Sequence, residues 1–403
     1  MALRAKKWWL ASLLLVSSLL PALAQKPSGP AQAARPFVGY HRYRGTVGGH
    51  PVTVELNIDP DPEKPAAMLC RGSYYYGRHP ASKLLLRSPL PWRPRLALTL
   101  DETEADTTHQ PTGRWLATQP AGPVLSGTWR SPDGQALPFS LREDYTDGQG
   151  HLMAAKYEIV EAAAKVPCRP ERKEDETAAE YRKRIATIDH GYSQLFLHLL
   201  GPDTLRPALR GLQCLAPVAR RRLARAAGAE DDGCKLYSTS LTVDYNDYGL
   251  LAWTEYSMEE FANGARPSHR IASMVHDLHT GEALRLEDIV RPDTDTLLQR
   301  LITRSILRRD NSDIWSKPGA KMPVHAADMA PLSTSISLTA EGLSFAYQCD
   351  EFAQLFFIEG SAIVFSVPVP WAELLPLLRP DSPVARMLRE RGLWPPAANQ
   401  SRK

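Results

Sequence analysis

The sequence predicts two unlike halves: an all-β N-terminal domain, an antiparallel meander closing into a small barrel, and an α+β C-terminal domain with helices laid on an antiparallel sheet. Three observations carry this. From Pro36 to about Asp147, short alternating apolar runs are separated by turn signals roughly every ten to fifteen residues, the spacing of an all-β domain. Beyond about Met153, apolar residues recur at spacings of three and four. From Lys235 strand rhythm returns, interrupted by helix-start signals. The boundaries read as a leader over 25–35, the β-domain over 36–150, a helical segment over 151–234, the α+β domain over 235–380 and a C-terminal tail over 381–403.

In the first half, Gly48-Gly49 marks a hairpin turn, and Val52, Val54 and Leu56 then alternate with Thr53 and Glu55, which predicts a half-buried strand. Ser73-Tyr74-Tyr75-Tyr76 and Leu84-Leu85-Leu86 make the next pair. Leu96, Leu98 and Leu100 alternate again, and Trp115-Leu116 follow Gly113. Pro132-Asp133-Gly134 turns the strand around Trp129 into the one from Leu137 to Leu141. Closure of such a meander removes its exposed edges. No converging polar set is visible, so the interior is expected to be filled by side chains. The phrases Arg44-Gly45-Thr46, Arg71-Gly72-Ser73 and Ser126-Gly127-Thr128 echo one another. Tyr74, Tyr75, Tyr76, Trp115 and Trp129 are dense enough to suggest a sugar platform, but strand alternation sends most of them to the core.

In the second half, Tyr181, Ile185, Ile188, Tyr192, Leu195 and Leu199 form one helical stripe, with charged residues from Lys173 to Arg184 leading into it. Leu241 to Tyr245 is a strand, Asn246-Asp247-Tyr248-Gly249 a turn, and Leu250 to Tyr256 the returning strand. Ile271 to Leu278 follows, turned by His279-Thr280-Gly281-Glu282. Thr294 caps a helix in which Leu297, Leu298, Leu301, Ile302 and Ile306 share a face. Ile336 and Leu338 turn through Ala340-Glu341-Gly342 into Leu343, Phe345 and Tyr347. Ala362 to Val367 is the last strand, and Pro370 opens a short helix through Trp371, Leu374 and Leu375.

The amino terminus reads as a cleaved export signal: Arg4, Lys6 and Lys7, then an apolar run from Trp8 to Leu20, Pro21, and small residues at Ala22 and Ala24. The run is short for a membrane anchor, and no later stretch is apolar enough to span a bilayer. The expected location is therefore periplasmic or secreted, with no retained membrane span. The chain has 48 Lys+Arg against 45 Asp+Glu, and those three signal residues account for the excess. A near-neutral remainder excludes the broad basic field of a nucleic-acid binder. Of the five cysteines, Cys70, Cys168, Cys214, Cys234 and Cys349, the first pair to expect in an oxidising compartment is Cys214 with Cys234, with Cys168 as rival partner.

No GxSxG, HExxH, P-loop or Rossmann spacing occurs, and no cofactor is expected. His276 and His279, three apart on a strand, point to opposite faces and make poor co-ligands. Asp277 and Asp288 read as turn and helix-start aspartates rather than paired carboxylates, and the acidic stretches Asp59-Pro60-Asp61 and Asp101 to Asp106 as solvated loops.

The pieces Asn263-Gly264-Ala265, Asp277-Leu278-His279-Thr280-Gly281, Leu286-Glu287-Asp288-Ile289, Gly342-Leu343 with Phe345 and Tyr347, and Val367-Pro368-Val369-Pro370-Trp371 with Leu374 occur in a characteristic order over roughly residues 235–380. In this they resemble the extracytoplasmic domain of unknown function shared by anti-sigma-V factors, which sense lysozyme, and some peptidoglycan deacetylases. The sequence departs from that pattern at Asn263, which replaces a loop glycine, and at Arg266-Pro267-Ser268 before His269. The resemblance implies a non-catalytic binding module of the cell envelope, with lysozyme or peptidoglycan as partner. The candidate binding residues are Asn263, Gly264, Ala265, Arg266, His269 and Asp277, with the aromatic stretch Phe352–Phe357 beside them. The alternative is a cell-wall hydrolase or deacetylase of unrecognised type.

Overall fold

Strand-forming sequence closes on itself in the first half because each strand has an apolar alternate row and a turn that fixes its register. The computed structural model describes residues 38–61, 64, 66–76, 84–89, 91–104, 111–147, 149–164, 172–187, 191–200, 235–261, 267–308, 329–348, 351 and 364–395. Strands β1 (Gly39–Val47), β2 (His50–Pro60), β3 (Met68–Tyr76), β4 (Leu84–Arg87), β5 (Thr99–Thr103), β6 (Gly113–Ala117), β7 (Val124–Arg130) and β8 (Ala136–Glu143) succeed one another around a closed antiparallel barrel. It is sealed where β8 returns to β1 with Leu141 opposite Gly45. Gly48 and Gly49 turn β1 into β2 with φ of 56° and 85°, the left-handed pair that a two-residue hairpin requires.

Val52, Val54, Leu56 and Ile58 point inward against Tyr43, Tyr74, Trp115 and Phe139, and all are buried. The void left among them is about 10 Å³, smaller than one water needs, so the interior is filled as expected. The three echoed glycines explain themselves here. A Cβ on Gly45, Gly72 or Gly127 would collide with the carbonyl oxygen of Ser140, Glu55 or Leu116 on the neighbouring strand, so these are points where the barrel coils tightly.

The acidic stretch from Asp101 departs from the solvated loop expected of it. Asp101, Glu102 and Thr103 lie in β5, and Glu102 is 3% exposed. Its Oε2 accepts from Tyr74 Oη (2.8 Å), Trp115 Nε1 (3.1 Å) and Trp129 Nε1 (2.8 Å), and its Oε1 from Thr112 Oγ1 (3.0 Å). Four donors replace the lost water, which is what makes a carboxylate tolerable there. Leu96 is 58% exposed and precedes the strand it was expected to join.

The second half builds a six-stranded sheet in the order β14-β13-β12-β11-β10-β9. Its strands are β9 (Lys156–Ala164), β10 (Gly191–Leu200), β11 (Lys235–Asp247), β12 (Leu250–Phe261), β13 (Ser268–Asp277) and β14 (Ala283–Leu284). The pairings are antiparallel except β10 with β11. A second sheet of β15 (Ile336–Leu338), β16 (Gly342–Tyr347) and β17 (Phe365–Pro370) packs against it. The helices Asp295–Arg308 and Pro383–Glu390 share the same core, through Leu298, Ile302 and Ile306 and through Val384, Met387 and Leu388.

Several expectations are corrected. The stripe from Tyr181 to Leu199 is not one helix: Ala178–Thr187 is helical, but Gly191–Leu200 is β10. Leu195, Leu197 and Leu199, spaced by two, join one core, and β9 supplies a ladder from Tyr192 opposite Ala164 to Leu200 opposite Lys156. Tertiary pairing overrides a local pattern that period two and period three-to-four share in part. The stretch read as a tail carries the helix Pro383–Glu390, started by Ser382 accepting from Ala385 N, with Leu388 fully buried. In the helix Asp295–Arg308, Leu297 turns outward at 49% exposure, and the Thr294 hydroxyl donates to Arg291 O instead of accepting from the helix. Pro370 precedes the short helix Trp371–Leu374 as its cap residue.

Candidate functional site

Because the barrel interior takes every second residue of β2, the intervening residues Thr53, Glu55 and Asn57 face outward, beside Tyr40, Arg42 and Arg44 of β1 and Ser73 and Tyr75 of β3. This polar outer face meets the hairpin of β11 and β12. Tyr248 and Gly249 form the hairpin turn at φ of 51° and 74°, and Tyr248 is the one non-glycine residue at positive φ among the described residues. Position 249 requires glycine twice over, for its φ and because a Cβ would strike the His279 ring.

Asp247, 5% exposed, ties the two halves together at this turn. Its Oδ1 accepts from Arg42 Nη2 (3.2 Å) and Tyr248 N (2.9 Å), and its Oδ2 from Tyr75 Oη (2.8 Å). Arg42 Nη1 reaches Asp144 O at 3.1 Å. Burial opposes the charge on Arg42, but Asp247 together with Tyr40, Tyr75 and Glu55 outweighs it, and the guanidinium is held above its usual range. Burial, then Asp247, pushes the Tyr75 hydroxyl up. Further contacts join the halves nearby: Tyr40 stacks on Tyr157 at 5.0 Å, Tyr157 donates to Asn57, and Asn246 bonds the Ala155 backbone through both ends of its amide.

Two cavities flank this clamp. The larger, about 330 Å³, is lined by Arg42, Arg44, Thr53, Tyr75, Gln149 and Tyr248, with Thr146, Asp147, Met153 and Glu390 around them. The smaller, about 170 Å³, lies between Tyr40, Glu55, Asn57 and Tyr157 on one side and Asp244 to Asp247 on the other. At the margin, His151 Nδ1 is 2.8 Å from Asp147, and its ring lies 5.7 Å from that of His279. Burial, then Arg386, lowers the His279 pKa, and burial raises that of Glu390.

Below the barrel seam, Glu143 Oε1 takes His41 Nδ1 (2.9 Å), Tyr145 Oη (2.7 Å) and Lys156 Nζ (2.7 Å). Burial would raise this carboxyl, but those hydrogen bonds outweigh it and hold it at about 2.

Of the residues expected to bind from sequence, the two that are described, His269 and Asp277, do not line this cleft. Asn263, Gly264, Ala265 and Arg266 lie outside the described residues, as do Phe352–Phe357 and the Cys214 and Cys234 expected to pair. His269 shares a hydrogen bond with Tyr256 Oη on the sheet. Asp277, 2% exposed, accepts from His279 N (3.0 Å) and Arg386 Nη2 (2.8 Å), and so closes its own turn and anchors the C-terminal helix. Asp288 instead accepts from Arg285 N, so the two aspartates do not meet. His276 stacks on Trp253 at 5.2 Å, away from His279. No cluster of three or more metal-ligating side chains occurs among the described residues. Cys70 is free and buried, its thiol pushed up to about 12 by burial.

Sequence reading missed Arg42, Asp247 and Tyr75 as a unit. The outward phase of Thr53 and Glu55 was visible, but the partner of that face lies some two hundred residues away, at a separation of 205 for Arg42 and Asp247.

No family model matches the chain, and no curated protein matches it. Two solved structures are similar over part of it. A DUF3298 family member from Bacteroides fragilis shares 12% identity over 58% of this chain and 96% of its own, with a TM-score of 0.35. A DUF3298 family protein from Pseudomonas aeruginosa shares 13% identity over 56% of this chain and 94% of its own, with a TM-score of 0.34. Likenesses of this degree say nothing about ligand or activity.

Proposed function

We propose that the chain is an exported binding protein of the cell envelope that takes its ligand in the cleft between barrel and sheet, not inside the barrel. The observation that carries this is a contrast of spaces: the barrel interior leaves about 10 Å³, while the polar cleft holds about 330 Å³ beside a buried ion pair. Ligand sites are concave and largely pre-formed, with a few fixed polar groups. Binding is favoured over catalysis by how those groups are committed. Arg42 is held by Asp247, Arg44 by Asp144, and Asp147 by His151. The lining hydroxyls of Tyr75 and Thr146 are likewise committed, to Asp247 and Asp144. The run from Arg4 to Ala24 supports export, and a small concave site suits a cell-wall component better than the surface of lysozyme.

The test is retention of the full chain on purified peptidoglycan and, separately, on immobilised lysozyme, each repeated with Asp247→Ala. Saturable retention on peptidoglycan or its soluble fragments, weakened by the substitution, is the expected result. Retention on neither matrix, or retention that ignores the cleft, rejects the proposal.

A further inference from the structure

Resting on that reading of the cleft, we infer that its larger cavity is a saccharide subsite: it takes an uncharged, polyhydroxylated ring, with Thr53 and Gln149 bonding its hydroxyls and Tyr75 and Tyr248 supplying aromatic wall. Four observations converge. Thr53 is 6% exposed and lines the cavity, yet among the described residues its hydroxyl has no hydrogen-bond partner. Its outward neighbours on β2 are satisfied, Glu55 by Tyr40 and Asn57 by Tyr157. A hydroxyl that opens on the cavity is free to bond an oxygen brought by a ligand. Gln149, an exposed residue of the same lining, bonds Asp147 through its backbone N, and its side-chain amide has no partner among the described residues.

The charge pattern selects against ions of either sign. The lining holds two arginines, one aspartate and one glutamate, so it balances. Arg42 and Arg44 already have carboxylate partners and also donate to the carbonyls of Asp144 and Thr146, which leaves little to draw an anion. Asp147 is engaged by His151 and by the amides of Gln149 and His151, which leaves little to draw a cation. What remains is the Thr53 hydroxyl, the Gln149 amide and one group of each sign, Arg42 Nε and the Glu390 carboxylate, so the open groups too balance in charge.

The fourth observation is backbone strain. Tyr248 holds φ of 51° at a turn position that suits Asn, Asp or Gly, and it lines the cavity. Strain of this kind gathers where a side chain is wanted for its surface. Aromatic faces beside hydroxyl-bonding groups suit a sugar, whose rings carry an apolar C–H face and a polar rim. A volume of about 330 Å³ is near the lower end for ligand pockets, which fits one or two rings.

The experiment titrates the full chain with neutral N-acetylglucosamine and glucose oligomers, and with matched oligomers carrying carboxylates or free amines. It is repeated with Thr53→Val, which keeps shape and removes the hydroxyl, and with Gln149→Ala. Saturable binding of a neutral oligomer is expected, weakened roughly 5–10-fold by each substitution, the scale of one neutral hydrogen bond. Binding only of the charged oligomers, or neutral binding indifferent to both substitutions, overturns the saccharide inference and leaves the cleft reading standing if Asp247→Ala still weakens the charged ligand. Binding of none overturns the inference outright.

Discussion

Asp247 is the residue whose loss should do most to loosen the two halves. Changing Asp247→Ala removes the acceptor of Arg42 Nη2, Tyr75 Oη and Tyr248 N at one stroke. Arg42 is 3% exposed and cannot turn to water in place, and stripping the partner from a buried charge costs about 3–5 kcal/mol. A buried hydroxyl and amide left unpaired add to this, each on the scale of ~1 kcal/mol or more. The working figure is therefore about 4 kcal/mol or above, measured by urea denaturation of the variant against the parent chain. Asp247→Asn keeps the shape and one acceptor oxygen and should cost about half as much. The decisive arm is the double change Arg42→Met with Asp247→Ala. Removing both charges abolishes the unpaired-ion penalty, so the double should be less destabilised than the sum of the singles by about 2 kcal/mol. A cost below ~1 kcal/mol for Asp247→Ala, or singles that add to within ~0.5 kcal/mol, would refute the clamp.

Other outcomes follow from the same coordinates. Glu102→Ala strands Tyr74 Oη and two indole N–H groups in the barrel, and should cost about 3 kcal/mol or more by urea denaturation; Glu102→Gln, which keeps an acceptor, should cost less. Leu388→Ala, in a fully buried site of the C-terminal helix, should cost about 2–5 kcal/mol, and a cost near zero would return that segment to a tail. Acid should destabilise the chain in two steps. His41 titrates below its usual range because of burial, and Glu143 is held near 2, so the unfolded chain binds more protons in both cases. Stability present above about pH 6.5 should fall as pH drops, and fall again from about 4.5 towards 2. Glu143→Gln should shrink the lower step in denaturation midpoints measured against pH, with Asp144 and Asp147, also held below their usual range, supplying what is left. Cys70 should resist alkylation at pH 8 in the folded chain and react on unfolding, read by peptide mass mapping.

How much of this was legible in sequence depended on whether the signal was local. The barrel was, because Gly48-Gly49, the alternation from Val52 to Leu56 and Pro132-Asp133-Gly134 each fix a turn or a face within a few residues. The hairpin at Tyr248-Gly249 was legible for the same reason. β10 was not, since a Leu-rich run serves helix and strand alike and only the ladder to β9 decides. Glu102 was misread because an acidic tetrad looks solvated unless the indoles that reach it are known, and Trp129 lies 27 residues on. The cleft was illegible in principle. Its walls come from β1 to β3, the turn after β8, the β11–β12 hairpin and the C-terminal helix, and no periodicity links them.

That dispersion also reconciles a filled barrel with the proposed binding role. A packed interior makes β1 to β3 a stiff wall, so the outward side chains Arg42, Thr53 and Tyr75 hold their spacing without needing one another. The opposite wall is a two-stranded turn carrying a strained tyrosine, and it is held to the barrel by the Asp247 clamp beside the larger cavity. Both walls are therefore pre-organised, one by the barrel core and the other by the buried Tyr248 and Leu250 and the backbone bonds of Gly249 to Met153 and Leu278. A ligand that presses on Tyr248 is resisted in part through Asp247, which accepts from its backbone N. Loosening that one carboxylate should weaken binding even for ligands that never touch it, while substitutions on the far side of the barrel, at β5 to β7, should change stability and leave affinity alone.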